Sequence, residues 1–186
     1  MTDYHPHLEW IDQQHSRMVA LVEKWSAINS GSYHLEGLAR MCDALQQDLA
    51  VLEGEMEVLD CDPMEVVTPA GAVEHSTLGK ALSIRKRPDA LVKVFLGGHM
   101  DTVFAKDHPF QNLTYLDDNT LNGPGVADLK GGLAAMLVAL EALEQSPWAE
   151  QVGWEILINP DEEIGSHGSM RHLKTSAERN HVGLIY

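Results

Sequence analysis

Basic residues are scarce: 13 Lys plus Arg stand against 28 Asp plus Glu, a formal net charge of −15 and a sequence pI near 4.9. A nucleic-acid surface needs the opposite sign, so nucleic acid is excluded as a partner. The one locally basic stretch, "RKRP" from Arg85 to Pro88, reads as a solvated turn. Long apolar runs are missing too. None approaches the roughly 20 residues of a membrane helix, and "MTDYHPHLEW" lacks a basic segment followed by an apolar one. The expectation is a cytoplasmic protein with no membrane partner. Cysteine is limited to Cys42 and Cys61, in helix-like and strand-like contexts, which favours free thiols over a disulfide and argues against redox chemistry. Internal repeats and low-complexity segments are also absent.

What remains is the composition of one soluble globular domain, 44% hydrophobic and 22% charged over 186 residues. Leu8, Ile11, His15, Met18, Val22, Trp25 and Ile28 recur at steps of three and four, predicting one amphipathic helix ended by "NSGS". Leu38, Met41, Leu45, Leu49 and Leu52 predict a second before Gly54, and both helices read as scaffold. "EMEVLDCD" and "ALSIRKR" alternate like strands with one wet face, and the Pro- and Gly-broken stretch between them reads as irregular. "LVKVFLGG" and "VGWEILIN" read as interior neighbours, "TYLDDNTLNG" as a hairpin or turn, and Leu129–Gln145 as a strong helix. A helix from Met170 to Glu178 and a core-like strand "HVGLIY" follow. Strand, helix, strand implies a βαβ crossover, so the class is α/β. A core-like strand at Tyr186 without a closing turn suggests a fragment.

Three polar clusters follow the strands or enter the long helix: "GGHMDTVF", "GPGVADLKGG" and "NPDEEIGS". That edge of an open α/β sheet is where ligands bind, so the clusters are expected to converge. His99 and Asp101, two apart on extended backbone, share a side, and a carboxylate beside a ligating imidazole fixes its tautomer. Asp128 sits just before a helix, where the bland alternative is an N-cap; the G-x-x-x-x-G-K-[ST] phosphate loop is absent, since Lys130 precedes its glycines. Glu162 and Glu163 are neighbours with diverging side chains, so one can bind a metal while the other handles protons, and Asp161 is expected to be structural. Adjacent acidic groups at a strand end ask for a cation, and the His-plus-carboxylate set suits a catalytic zinc or a two-metal site. Cobalt or manganese fits the ligand type as well. His167, in the turn after Glu163, is the nearest of the remaining histidines.

At these residues the sequence resembles the dinuclear zinc metallopeptidase family of aminoacylase-1, succinyl-diaminopimelate desuccinylase, peptidase T and the bacterial glutamate carboxypeptidases. "GHMDTVF", "GPGVADLKGG" and "DEEIGS" match it in order and spacing over roughly Val92 to Tyr186. The resemblance implies a three-layer α/β/α catalytic domain with a mixed central sheet, of which residues 1–186 are the N-terminal portion, without the lid or dimerisation domain and the C-terminal part. It implies that His99 binds one zinc, Asp128 bridges two, Glu163 binds the second, Asp101 orients His99, and Glu162 is the general base of amide hydrolysis. A Glu after Tyr186 and a later His would complete the two sites. The substrate would be a small peptide or N-acyl amino acid, the full-length protein a possible homodimer, and the 186 residues alone inactive. Two other readings compete: a non-catalytic binding or assembly domain of the same fold, and a mononuclear hydrolase using only His99, Asp128 and Glu163.

Overall fold

The computed structural model describes residues 3–186. It opens with three helices, α1 (His5–Asp12), α2 (His15–Ser26) and α3 (Leu35–Leu49). Strands β1 (Glu55–Asp60), β2 (Met64–Val67), β3 (Val73–Ser76), β4 (Lys80–Lys86) and β5 (Val92–His99) follow. Next come β6 (Thr114–Asp117), β7 (Thr120–Asn122), helix α4 (Gly131–Glu144) and β8 (Val152–Asn159). Helix α5 (Met170–Arg179) and strand β9 (Val182–Ile185) close the described chain.

The central sheet runs β1-β4-β8-β5-β9 and is mixed: β8 and β9 pair parallel to β5, while β4 pairs antiparallel to both β8 and β1. Strand alternation sends Leu82, Ile84, Leu96, Ile156 and Ile158 to one face, where they pack with Trp25, Met41, Leu45, Leu133 and Leu137 from α2, α3 and α4. Ala81, Phe95 and Leu157 occupy the other face, against Leu173 of α5. This is the α/β/α sandwich that the resemblance implied. Leu137 is fully buried at its centre. Leu137→Ala is expected to cost about 2–5 kcal/mol, read as a lowered urea midpoint at unchanged m-value.

Four local expectations need correction. The first helix is two, separated at Gln13–Gln14, because spacing by threes and fours continues across a turn that lacks Pro or Gly. The supposedly irregular stretch contains the β2–β3 hairpin, whose loop is made by the very residues that looked like breakers: Pro69 and Gly71, with φ +79° at the glycine. Strand β4 has no wet face through Ala81–Ile84, since β1 and β8 flank it and both faces are covered. β9 lies at the sheet edge with Val182, Leu184 and Ile185 exposed.

The basic turn is also less solvated than its composition suggests. Lys86 and Arg87 are half-buried and both pair with Glu144, which Trp154 Nε1 also reaches at 2.8 Å. Burial pushes the Glu144 carboxyl up, but these donors outweigh it and pull the group down to about 2. The two cysteines are free, and no helix among the described residues is long and apolar enough to cross a membrane.

Candidate metal centre

The site lies at the carboxyl ends of the parallel strands β5 and β8, where His99 and Asn159 are register partners. Met100 N–H donates to the Asn159 carbonyl at 2.9 Å, so the two strand exits leave side by side. Gly125 sits at φ +71°, and a Cβ there would meet the Thr102 methyl at 2.9 Å. The glycine thus lets the turn Val126–Lys130 fold back over β5. Asp128 breaks the helical run with φ −125° and ψ 94°, makes no capping bond, and brings its carboxylate to His99; helix α4 begins only at Gly131. After β8, Asp161 turns the chain. Fully buried, it accepts N–H bonds from Gly168 at 2.7 Å and Ser169 at 3.2 Å, the structural part expected of it. A short turn, Glu162–Ile164, ends at Gly165 with φ +97°.

His99 is buried, and its two ring nitrogens face different carboxylates. Nδ1 lies 3.3 Å from Asp101 Oδ1 and 3.1 Å from the Asp101 carbonyl; Nε2 lies 2.9 Å from Asp128 Oδ1 and 3.9 Å from Glu162 Oε2. Asp101 itself is almost wholly buried and accepts the backbone N–H groups of Glu162 and Glu163, each at 3.1 Å. One carboxylate therefore aims the imidazole and holds the acidic turn. The adjacent Glu162 and Glu163 diverge less than on a strand, since the tight turn keeps both near His99.

Ligand atoms of His99, Asp128 and Glu163 all lie within 4.8 Å of one another. The other histidines, His167 among them, fall outside this group; His167 is exposed. Two clefts meet at Glu163. One runs past Tyr33, His34, Val103 and Lys106, the other past Phe104, Gly123 and Val126 to Asp128.

The electrostatics fit a cation. Burial would push the His99 imidazole down, but hydrogen bonding and charge from Asp101, then Asp128 and Glu162, outweigh it and raise the group to about 9. With acceptors at both nitrogens, the imidazole holds two protons at neutral pH. Burial and the neighbouring Asp128 charge raise the Glu163 carboxyl. A divalent ion among these groups would take the place of the Nε2 proton and relieve the repulsion between carboxylates.

A pH dependence follows. Because a proton competes for His99, apparent affinity for zinc should climb by up to about tenfold per pH unit from 6 to 8 and level off near 9. Isothermal titration at several pH values checks it; a flat profile would contradict the imidazole as a ligand. In the metal-free chain the sign is opposite. The raised value stabilises the fold below 6.5 and that contribution fades as pH climbs through about 9.

Two residues at the site carried little functional signal in the sequence. Ser32, from the loop after α2, donates its hydroxyl to Asp101 Oδ2 at 2.8 Å. Lys130, buried, donates from Nζ to the Ile28 carbonyl at 3.1 Å, and burial pushes its ammonium down to about 8. A lysine at the start of an otherwise apolar helix was the one available hint.

The α/β/α sandwich that gathers this imidazole and two carboxylates at the carboxyl edge of its sheet shares its fold with solved dipeptidase and metallo-carboxypeptidase structures. More particularly, residues 95–186 match the family model described as peptidase family M20/M25/M40. Carboxypeptidase G2 of Pseudomonas sp. is 28% identical over 161 residues, covering 87% of this chain and 36% of that protein. A probable succinyl-diaminopimelate desuccinylase of Staphylococcus epidermidis is 38% identical over 78 residues, 40% of this chain and 19% of that protein. In fold, human carnosine dipeptidase 1 superposes with a TM-score of 0.77 at 21% identity, covering 98% of this chain and 41% of that one. The chain thus spans well under half the length of these proteins.

Proposed function

We propose that the chain is the metal-holding part of a hydrolase of amide bonds, of exopeptidase or N-acyl amino acid deacylase type. The observation that carries this reading is the approach of His99, Asp128 and Glu163 ligand atoms to within 4.8 Å, with Glu162 beside them and open clefts on either side. His99 Nε2 and the carboxylates of Asp128 and Glu163 would hold the ion. Three such donors suit one catalytic ion with an open position; a second ion needs further donors. When bound, zinc or a comparable divalent ion supplies a Lewis acid that polarises a carbonyl and lowers the pKa of water from about 16 to about 7.

The chain's own residues do the rest. Asp101 keeps His99 aimed through Nδ1, and its bonds to the Glu162 and Glu163 N–H groups fix the acidic turn. Glu162, with about half its side chain open to the cleft, takes a proton from the attacking water and hands it to the leaving nitrogen. The substrate is a small peptide or N-acyl amino acid lying across the two clefts.

The match to 36% of carboxypeptidase G2 and 41% of carnosine dipeptidase 1 supports reading residues 1–186 as the N-terminal portion of a catalytic domain within a longer polypeptide. On that reading the 186 residues alone do not turn over. The test is a panel of dipeptides and N-acyl amino acids offered to a full-length polypeptide that carries this chain. Hydrolysis lost to a chelator and restored by zinc is expected; hydrolysis indifferent to chelation, or none on any substrate, would overturn the reading.

A further inference from the structure

The N-terminal helical layer does more than pack. Its loop, residues 28–32, touches two of the three segments that build the metal centre. Thr102 N–H donates to the Ser30 carbonyl at 3.0 Å, Ser32 N–H donates to the Thr102 carbonyl at 3.3 Å, and Gly31 bridges Thr102 in parallel. Asn29 Nδ2 donates to the Phe104 and Ala105 carbonyls, each at 3.2 Å, fastening the loop to the chain just past Asp101. Gly31 is needed for that approach, since a Cβ there would stand 2.4 Å from the Phe104 carbonyl oxygen. On the other side, Lys130 ties Ile28 to the turn that presents Asp128.

Ser32 is where this loop meets the chemistry. An ionised carboxylate offers about four lone-pair sites. At Asp101, Oδ1 faces His99 Nδ1 and the Glu162 N–H, while Oδ2 accepts the Glu163 N–H and the Ser32 hydroxyl. Both partners are buried, so the bond is shielded from competing water. Without the hydroxyl, Oδ2 keeps one donor instead of two and the carboxylate can rotate, which loosens His99 and the acidic turn together.

We infer that Ser32 is a positioning residue for the metal centre, acting through Asp101; this rests on the metal-binding reading above. The test is zinc or cobalt affinity, measured by titration of the folded chain at neutral pH, for the parent chain and three variants. Ser32→Ala should weaken binding about tenfold, the low end of what losing a ligand's orienting partner costs, because Ser32 acts one bond further out, through Asp101. Ser176→Ala is the structural control. It deletes a buried serine-to-carboxylate bond of the same kind, Ser176 Oγ to Glu155 Oε1 at 2.7 Å, on the α5 face of the sheet, and should leave affinity unchanged. His99→Ala defines the site itself and should abolish binding.

If Ser32→Ala binds as tightly as the parent while His99→Ala does not bind, the Ser32 role is overturned and the metal-site reading stands. Equal weakening by Ser32→Ala and Ser176→Ala also overturns it, since general loosening would then explain both. If parent and His99→Ala bind alike, both readings fall.

Discussion

Replacing Glu162 by Gln is expected to cut turnover of an amide substrate by about a thousandfold in a full-length polypeptide carrying this chain, with metal content unchanged. The substitution keeps the size of the side chain and removes only its capacity to take and return a proton, a role worth roughly 10²- to 10⁴-fold. The Glu162 N–H bond to Asp101 is made by backbone and survives the change, so the turn should keep its shape. The loss should therefore fall on kcat, with KM nearly constant. Steady-state kinetics with metal analysis on the same samples separate the outcomes. Unchanged turnover with metal bound would remove Glu162 as the base, whereas parallel loss of metal would recast it as a ligand.

His99→Ala carries the second large effect. It removes one of three ligand atoms and the only nitrogen among them, so affinity for zinc should fall by at least about a hundredfold. The variant should also lose the thermal stabilisation that saturating zinc gives the parent, which grows with the logarithm of ligand over dissociation constant. The imidazole is buried between Asp101 and Asp128, so its removal leaves Asp101 Oδ1 short of a partner and should lower metal-free stability by about 1–3 kcal/mol. Thermal melts with and without zinc report the two effects separately.

Much of this centre was legible in the sequence. Two interior apolar runs and the leucine repeat placed β5, β8 and α4, and a parallel pair joined by a helix fixes which strand ends share an edge. Once His99 and the acidic run are assigned to those ends, their meeting follows. Asp128 was placed by the same logic, although spacing does not reveal its departure from helical geometry at φ −125° and ψ 94°.

Ser32 stayed invisible because it is 69 residues from Asp101 and serine in a short loop is ordinary. The β2–β3 hairpin was hidden by its own turn residues, and the break between α1 and α2 by a periodicity that survives it. The exposure of β9 depends on strand order, not on composition: an apolar strand reads alike at the centre and at the edge.

Anomalous diffraction at the zinc absorption edge, from crystals of the chain grown with zinc, tests the central claim most directly. The expected result is a peak about 2.0–2.2 Å from His99 Nε2 and from carboxylate oxygens of Asp128 and Glu163. Zinc bound only at exposed histidines elsewhere, with none among these three residues, would contradict it.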